Sequence, residues 1–312
     1  MRKEKTALRI GFMLLVAIVL APSLNSAFGA SDQAVPVSMV VSVEAKQGKT
    51  VPAVNREDVI ASQGKDRLKV TDWVPLQGDK ANLQLFILID DATDPSIGLQ
   101  FSSVKQFINA QPATTAIGIG YMRNGMVEVV QNLTKDHAQA AKALRLPMGF
   151  VGGTASPYLC VSDLMKRWPE SPSRREIFMV SDGIDRLQPG PANTYLSEAI
   201  SLAQRFGIQI YTIYASGIGH SGHVFWMINW GQNNLSQLAD ETGGEGYFQG
   251  FQTPISFSPF LDEFAERLKH QYRVTFLAVP QKQANYQNVR FTTEVSSAEL
   301  VAAPRVYVPA AK

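Results

Sequence analysis

The sequence predicts an α/β fold, with a doubly wound, mostly parallel sheet and flanking β-sandwich-like segments from both ends of the chain. Residues 83–89 and 176–181 are short apolar runs, typical of strands that are buried on both faces, and acidic residues follow each run. Segments with helical periodicity alternate with these and further apolar runs. Both ends of the chain show the alternating apolar and polar pattern of half-buried strands.

The first 29 residues predict a secretory signal peptide. Four basic residues lie among the first nine, an apolar run covers residues 10–24, and small residues at Ala27 and Gly29 suit cleavage. An uncleaved membrane anchor is disfavoured because a span needs about 20 residues and Pro22 interrupts this run. We therefore expect an exported protein, periplasmic or extracellular, with no stable membrane span after cleavage.

Removal of this segment changes the charge balance. The whole chain has 29 basic and 27 acidic residues, but residues 1–29 hold four basic residues and one acidic residue. The mature chain then has 25 basic and 26 acidic residues, a net charge of −1. A near-neutral chain has no charge-based reason to bind nucleic acid, so we expect no such partner.

The two ends of the mature chain predict strands. They lie at 35–43 and 68–74 in the N-terminal β segment (30–82), and at 272–279, 288–295 and 305–308 in the C-terminal β segment (271–312). Because chain termini usually lie close together, we expect these segments to pair into a small sandwich that carries residues 83–270 as an insertion.

The central segment alternates strands and helices. After the strand at 83–89, the predicted elements are a helix at 97–108, strands at 115–121 and 126–130, helices at 135–145 and 157–168, the strand at 176–181, a helix at 193–206, a strand at 208–214, a helix at 233–242, a short strand at 245–248 and a helix at 259–269. Asn124 and Gly125 predict a tight hairpin, so the strand at 126–130 should be an antiparallel edge strand.

Carboxylates follow the two apolar strands. Ligands of such sheets bind beyond the carboxyl ends of the strands, so Asp90 and Asp182 should share one crevice if their strands are neighbours. Two adjacent carboxylates must then repel each other or share a cation. Oxygen ligands suit Mg²⁺, Ca²⁺ or Mn²⁺, and the glycine-rich turn before Thr154 would bring a hydroxyl to the same place.

These three segments resemble the metal-ion-dependent adhesion site of von Willebrand factor type A (VWFA) domains, in an exported bacterial branch of that family. The resemblance covers residues 83–270 and implies a Rossmann-like fold, a protein-binding, adhesion or scaffold function, and Mg²⁺ (or Ca²⁺ or Mn²⁺) held by Asp90, Asp94, Thr154 and Asp182. The family's first segment is Asp-x-Ser-x-Ser, whereas this chain has Ala92 and Asp94 at the serine positions.

Several alternatives stay open for this site. An aspartate at the end of a strand is often a helix cap, and Asp182 with the following glycine is also an ordinary turn. Asp91 and Thr93 would replace the first-segment residues if the strand ended one residue later. A metal-free interaction domain of the same fold is the main functional alternative, and a metal-dependent hydrolase is a second.

A loop predicted at 216–231 is the other candidate site. His220, His223, Phe225, Trp226 and Trp230 have the composition of a protein-contact patch, and the loop follows a strand at the same edge as the carboxylates. The alternative is that the aromatic side chains are buried in the domain. Two histidines without cysteines make a poor zinc site.

Motifs of common enzymes are missing from the sequence. There is no Gly-x-Ser-x-Gly elbow, no Walker glycine loop and no His-Glu-x-x-His helix. The single cysteine, Cys160, lies among apolar residues and reads as a buried small hydrophobe. We therefore expect a non-enzymatic module whose partner is another exported protein.

Overall fold

The structure, a computed structural model, describes residues 34–48, 50–149, 155–219 and 225–310. Its strands are β1 (Val35–Ala45), β2 (Val59–Gln63), β3 (Asp66–Leu68), β4 (Val70–Pro75), β5 (Leu83–Asp90), β6 (Thr115–Arg123), β7 (Met126–Thr134), β8 (Arg174–Ser181), β9 (Ile208–Tyr214), β10 (Gly246–Tyr247), β11 (Gln271–Ala278), β12 (Asn285–Asn288), β13 (Arg290–Thr293), β14 (Ala298–Val301) and β15 (Arg305–Val308). Its helices are α1 (Phe101–Asn109), α2 (His137–Lys142), α3 (Pro157–Arg167), α4 (Thr194–Phe206), α5 (Phe225–Thr242) and α6 (Ser258–Lys269). None of the described helices is both long and apolar enough to cross a membrane.

The central sheet has six strands in the order β10-β9-β8-β5-β6-β7. Every pair is parallel except β6 with β7, which form the expected antiparallel hairpin at one edge. Strand β5 lies in the middle, between β8 and β6. The predicted α/β class with a mostly parallel sheet is confirmed.

Helices cover both faces of this sheet because alternate residues of each strand point to opposite sides. On β8, Phe178 and Val180 pack with α1, α2 and α6, whereas Ile177 and Met179 pack with α3, α4 and α5. Both sets of side chains are buried. A strand buried on both faces must be apolar throughout, which explains the uninterrupted runs in the sequence.

The flanking segments pair with each other. Strand β1 lies between β11 and β14, and β2 pairs with β13, all antiparallel. Val41, Val274 and Phe276 are fully or almost fully buried in the core between these strands. The predicted β-sandwich-like segments are therefore present, built from both ends of the chain.

A buried polar network lies at the amino end of β8, where α6 runs directly into β11. Arg174 donates to the backbone carbonyl of Leu268 and to the side chain of Gln271, which itself donates to Gln209 and Tyr211. Glu176 is only 1% exposed, and neither of its carboxylate oxygens has a hydrogen-bond partner. Burial raises the pKa of Glu176 to about 7, against the lowering effect of the Arg174 charge.

Helices α2 and α5 differ from the predicted helices in their bounds. Helix α2 stops at Lys142 rather than near 145, because the Tyr121 hydroxyl accepts a hydrogen bond from the Arg145 amide and donates to its carbonyl. Helix α5 includes Phe225, although the sequence predicts a loop over residues 216–231. Burial of Ile228 and Leu235, at helical spacing, explains the longer helix.

Candidate functional site

Asp90 ends β5 beside β8, and its side chain is 6% exposed. The Ser181 hydroxyl donates to Asp90 Oδ2 at 2.7 Å, and the Ala92 amide donates to Oδ1 at 2.9 Å. Ser181 is the last residue of β8, so the two parallel strands deliver donor and acceptor to the same edge. The two strands therefore bring Asp90 and Ser181 together at this edge of the sheet.

Asp182 follows β8 directly and is fully buried. Its Oδ1 accepts from the Ile184 amide at 3.0 Å, and its Oδ2 accepts from Arg186 Nη2 at 2.8 Å. Arg186 is anchored in turn, because its backbone amide donates to the Ala155 carbonyl and its Nη1 donates to the Ile184 carbonyl. The positive charge beside Asp182 is thus supplied by Arg186, from the same loop after β8.

The electrostatics of the crevice follow from burial. Burial, and then the charge of Asp182, raise the pKa of Asp90 to about 6, while hydrogen bonds from Ala92 and Ser181 and the charge of Arg186 oppose the rise. Burial alone would lower the pKa of Arg186. The negative charge of Asp182, the hydrogen bond that Arg186 donates to it, and the negative charge of Asp90 together raise this pKa instead. The guanidinium therefore stays charged and interacts with both carboxylates.

A cavity of about 10 Å³ lies against this cluster, roughly room for one water molecule. Asp90 and Arg186 both line it, together with Ala92, Met122, Arg123, Asn124, Ala155, Ser156, Pro157 and Cys160. Burial raises the pKa of the Cys160 thiol far above its usual value, which removes its nucleophilic form. The shared cavity shows that Arg186 and Asp90 face the same space.

The other predicted metal ligands lie in different settings. The Asp94 side chain caps a 3-10 turn (Pro95–Gln100) by accepting from the Ser96 amide. This is the helix-cap role that the sequence left open, and Asp94 does not line the small cavity. Thr154 lies outside the described residues.

The alternative ligands at the end of β5 are also engaged. Asp91 is 1% exposed and accepts two hydrogen bonds from the Arg145 guanidinium, at 2.7 and 3.0 Å. The Thr93 hydroxyl donates to the Asp90 carbonyl at 2.6 Å. Both side chains therefore stabilise the loop after β5, and neither lines the small cavity beside Asp90 and Arg186.

The described residues do not fit a resident divalent ion. Ala92 has no side-chain oxygen, and one oxygen of Asp182 is already paired with a guanidinium. Two unit charges 4 Å apart interact by about 4 kcal/mol at an effective dielectric constant of 20. A dication at that distance from the guanidinium would therefore be repelled by roughly 8 kcal/mol. Among the described residues, no group of three or more His, Cys, Asp and Glu side chains is arranged to hold a metal.

Two residues of this site were missed in the sequence. Arg186 could have been noticed as the only basic residue in the ten positions after Ser181, four residues beyond Asp182. Asp185 is 2% exposed and accepts from the Ser156 hydroxyl at 2.6 Å and from Asn193 Nδ2 at 3.0 Å. It connects the N-termini of α3 and α4 to this loop, which nothing local in the sequence indicates.

Exposed apolar side chains surround the site. Thirteen large hydrophobic residues are exposed in the described part of the chain, and eleven of them belong to segments at the carboxyl edge of the central sheet. We call these eleven residues the carboxyl rim: Leu99, Met126, Leu146, Met148, Leu187, Ile218, Phe225, Trp226, Phe248, Phe251 and Ile255. Such a concentration at one edge is unusual for a solvated surface and typical of a contact surface.

Hydrogen bonds join three of the loops that carry the rim. The Ile218 amide donates to the Ala92 carbonyl at 2.9 Å. Ser216 and Thr253 exchange hydrogen bonds between their amides and hydroxyls, at 2.9 and 3.2 Å. Gln100 donates to the Ile255 carbonyl at 2.9 Å. The loops that follow β5, β9 and β10 are therefore held together at the rim.

The predicted aromatic patch contributes to the rim. Phe225 and Trp226 are 61% and 54% exposed, and Phe225 packs edge-on against Phe251 with ring centroids 4.9 Å apart. Trp230 is half-buried, one helical turn below Trp226, with centroids 6.4 Å apart. His220 and His223 lie outside the described residues, so their assignment to a partner surface stays a prediction.

The chain is similar to several solved structures. It matches the von Willebrand factor type A protein from Catenulispora acidiphila at 10% identity and a TM-score of 0.43, over 88% of this chain and 74% of that one. It matches an aerotolerance-related membrane protein from Bacteroides fragilis at 13% identity and a TM-score of 0.42, over 60% and 98% of the two chains. It matches the conserved hypothetical protein BatB from Bacteroides thetaiotaomicron at 11% identity and a TM-score of 0.40, over 60% and 99%. No protein-family model and no curated protein matches the chain.

Proposed function

We propose that the chain is an exported, non-enzymatic interaction module of the VWFA type that binds another protein through the carboxyl rim. The observation that carries this proposal is the concentration of eleven exposed apolar side chains at the carboxyl edge of the sheet. Ligands of open α/β sheets bind at this edge. The predicted signal peptide supports an exported partner.

The buried polar groups at the same edge support binding rather than turnover. Asp90, Asp182 and Asp185 are all engaged by donors from their own loops, which fixes the loop conformations. Rigid loops that present apolar side chains lose little conformational entropy on binding, which favours affinity. The carboxylates thus stabilise the loops that present the contact surface.

The experiment is affinity capture with the mature chain as bait, from an extract of the proteins exported by the organism that produces it. Captured proteins are identified by mass spectrometry, purified, and measured again as pure pairs. Leu99→Ser and Ile255→Ser should each weaken the pair at least about tenfold, because burying a Leu or Ile side chain against a partner is worth about 1.5 to 3 kcal/mol. Both side chains are largely exposed, at 81% and 93%, so folding should tolerate the changes.

Val279→Ser is the matched control. Val279 is also an exposed aliphatic residue, at 44%, but it lies just after β11, away from the carboxyl rim. This variant should bind the partner as the wild type does. Equal loss in the control and rim variants, or no loss in the rim variants, would refute the proposed surface.

A further inference from the structure

We propose that Arg186 is a built-in replacement for a divalent cation, and that removing its guanidinium uncovers a latent site for Mg²⁺ or Mn²⁺ at Asp90 and Asp182. The site would then be independent of metal in the natural protein. This inference stands apart from the proposed function, since it holds or fails whether or not the carboxyl rim binds a protein.

The carboxylate pair requires a positive charge. Asp90 ends β5 and Asp182 follows the neighbouring parallel strand β8, and the two residues are 6% and 0% exposed. Two ionised carboxylates buried near each other are strongly destabilising unless a cation accompanies them or one of them takes up a proton. Arg186 supplies that charge, at 2.8 Å from Asp182 and in the same cavity as Asp90.

The surrounding chain is shaped to this ion pair. A Cβ atom on Gly217 would lie 2.2 Å from Asp182 Oδ2 and 3.2 Å from Arg186 Nη2, so the loop after β9 closes over the pair only with glycine. The Arg186 backbone amide is held by the Ala155 carbonyl at 2.9 Å. The guanidinium is thus fixed from both its backbone and its head group, as a resident cation would be.

Without the guanidinium, the same place offers oxygen ligands. Asp90 and Asp182 carry carboxylates, Ser181 carries a hydroxyl beside Asp90, and the small cavity would gain the volume of the arginine head group. Mg²⁺ and Mn²⁺ accept one or two carboxylates and complete their shells with water. The side chain of Arg186 therefore decides between an internal ion pair and a metal site.

The test is thermal unfolding at pH 8, where Asp90 is ionised, with EDTA or with increasing MgCl₂ or MnCl₂. We expect no saturable cation effect on the wild type. Arg186→Met, which keeps most of the apolar stem, should melt lower in EDTA and regain at least about 3 °C at saturating cation. Arg186→Lys keeps the charge and should stay insensitive, and Arg186→Met with Asp182→Asn should lose the gained response.

Two results would overturn the inference. One is a saturable stabilisation of the wild type by either cation that EDTA reverses, because the guanidinium would then not exclude metal. The other is a folded Arg186→Met variant with no cation response. Arg186→Gln, which keeps a hydrogen-bond donor for Asp182, replaces Arg186→Met if that variant does not fold, and the same two outcomes apply to it.

Discussion

Arg186 Nη2 lies 2.8 Å from Oδ2 of Asp182, and both side chains belong to the loop that follows the central strand β8. This contact places a permanent positive charge where the sequence pattern indicated an external cation. The Asp182 side chain is fully buried, and the Arg186 side chain is 16% exposed. A short buried ion pair of this kind is costly to break from one side, since the remaining charge is left unpaired.

Asp90→Asn should change the pH dependence of stability. The folded-state pKa of Asp90 is about 6, above its ordinary value of 3.8, so the folded state binds its proton more tightly than the unfolded state does. The stability that this group contributes is complete below about pH 4 and is lost as the pH rises through 6. Asp90→Asn should remove that loss and, at pH 8, raise the free energy of unfolding relative to wild type by on the order of 3 kcal/mol.

Urea unfolding of wild type and Asp90→Asn at pH 4, 6 and 8 provides the measurement. Asp94→Asn is the matched control, because Asp94 is a partly exposed cap whose pKa is lowered by the Ser96 amide and side chain. Asparagine also caps well, so this control should show no gain at pH 8. If the difference in unfolding free energy between Asp90→Asn and wild type grew toward acid pH, the raised pKa of Asp90 would be contradicted.

Glu176→Gln should stabilise the protein at alkaline pH. Glu176 has a folded-state pKa of about 7 against an ordinary 4.5, and its oxygens have no hydrogen-bond partners in the described structure. Its contribution to stability is present below about pH 4.5 and is lost as the pH rises through 7. The gain from Glu176→Gln should therefore be small at pH 4 and on the order of 3 kcal/mol at pH 8.

The measurement is again urea unfolding across this pH range. Glu57→Gln changes an exposed glutamate to the same residue and should leave the pH dependence unchanged. A loss of stability at pH 8 on Glu176→Gln would show instead that the ion pair with Arg174 outweighs the burial of the carboxylate.

The two tryptophans of α5 should respond differently to truncation. Trp226 is 54% exposed, so Trp226→Ala should cost less than about 1 kcal/mol of stability. Trp230 is half-buried, so Trp230→Ala should cost about 1 to 3 kcal/mol, below the 3 to 5 kcal/mol of a core aromatic residue. Chemical denaturation of the two variants measures both values. A core-like loss for Trp226→Ala would show that it is not a surface residue.

Gly217→Ala should disturb the ion pair directly. The added Cβ would meet Asp182 Oδ2 at 2.2 Å, so the carboxylate or the loop must move. We expect a loss of at least about 1 kcal/mol in stability. A double-mutant cycle with Arg186→Met checks the cause, since residues that share the contact should give non-additive losses. Additive losses would place the strain elsewhere in the loop.

Much of the fold was predictable because its strands obey simple rules. The runs ending at Asp90 and Ser181 are buried on both faces, and this forces an apolar sequence that can be recognised without a structure. The hairpin at Asn124 and Gly125 was equally clear, since both residues have the positive φ that this turn needs. Short strands such as β2 and β14 were not predicted, because their pairing depends on distant partners.

The site was predictable only in part. The meeting of Asp90 and Asp182 follows from strand order, but the identity of their cation depends on the path of one loop side chain, which no periodicity encodes. Asp94 carries a carboxylate at a plausible ligand position, yet the Pro95 turn after it makes the capping geometry available. Local hydrogen bonds of this kind compete with ligand roles and are settled only by three-dimensional geometry.

Whether partner binding needs a divalent ion is tested most directly by the affinity of the purified partner for the mature chain, measured by calorimetry in EDTA and again in excess MgCl₂. Arg186 supplies the charge of the site, and the carboxyl rim supplies the contact surface, so neither depends on a divalent ion. We expect equal affinity in the two buffers, and a loss of at least about tenfold in both for Ile255→Ser, because burying an Ile side chain against a partner is worth about 1.5 to 3 kcal/mol. Binding that disappears in EDTA and returns with Mg²⁺ would contradict it.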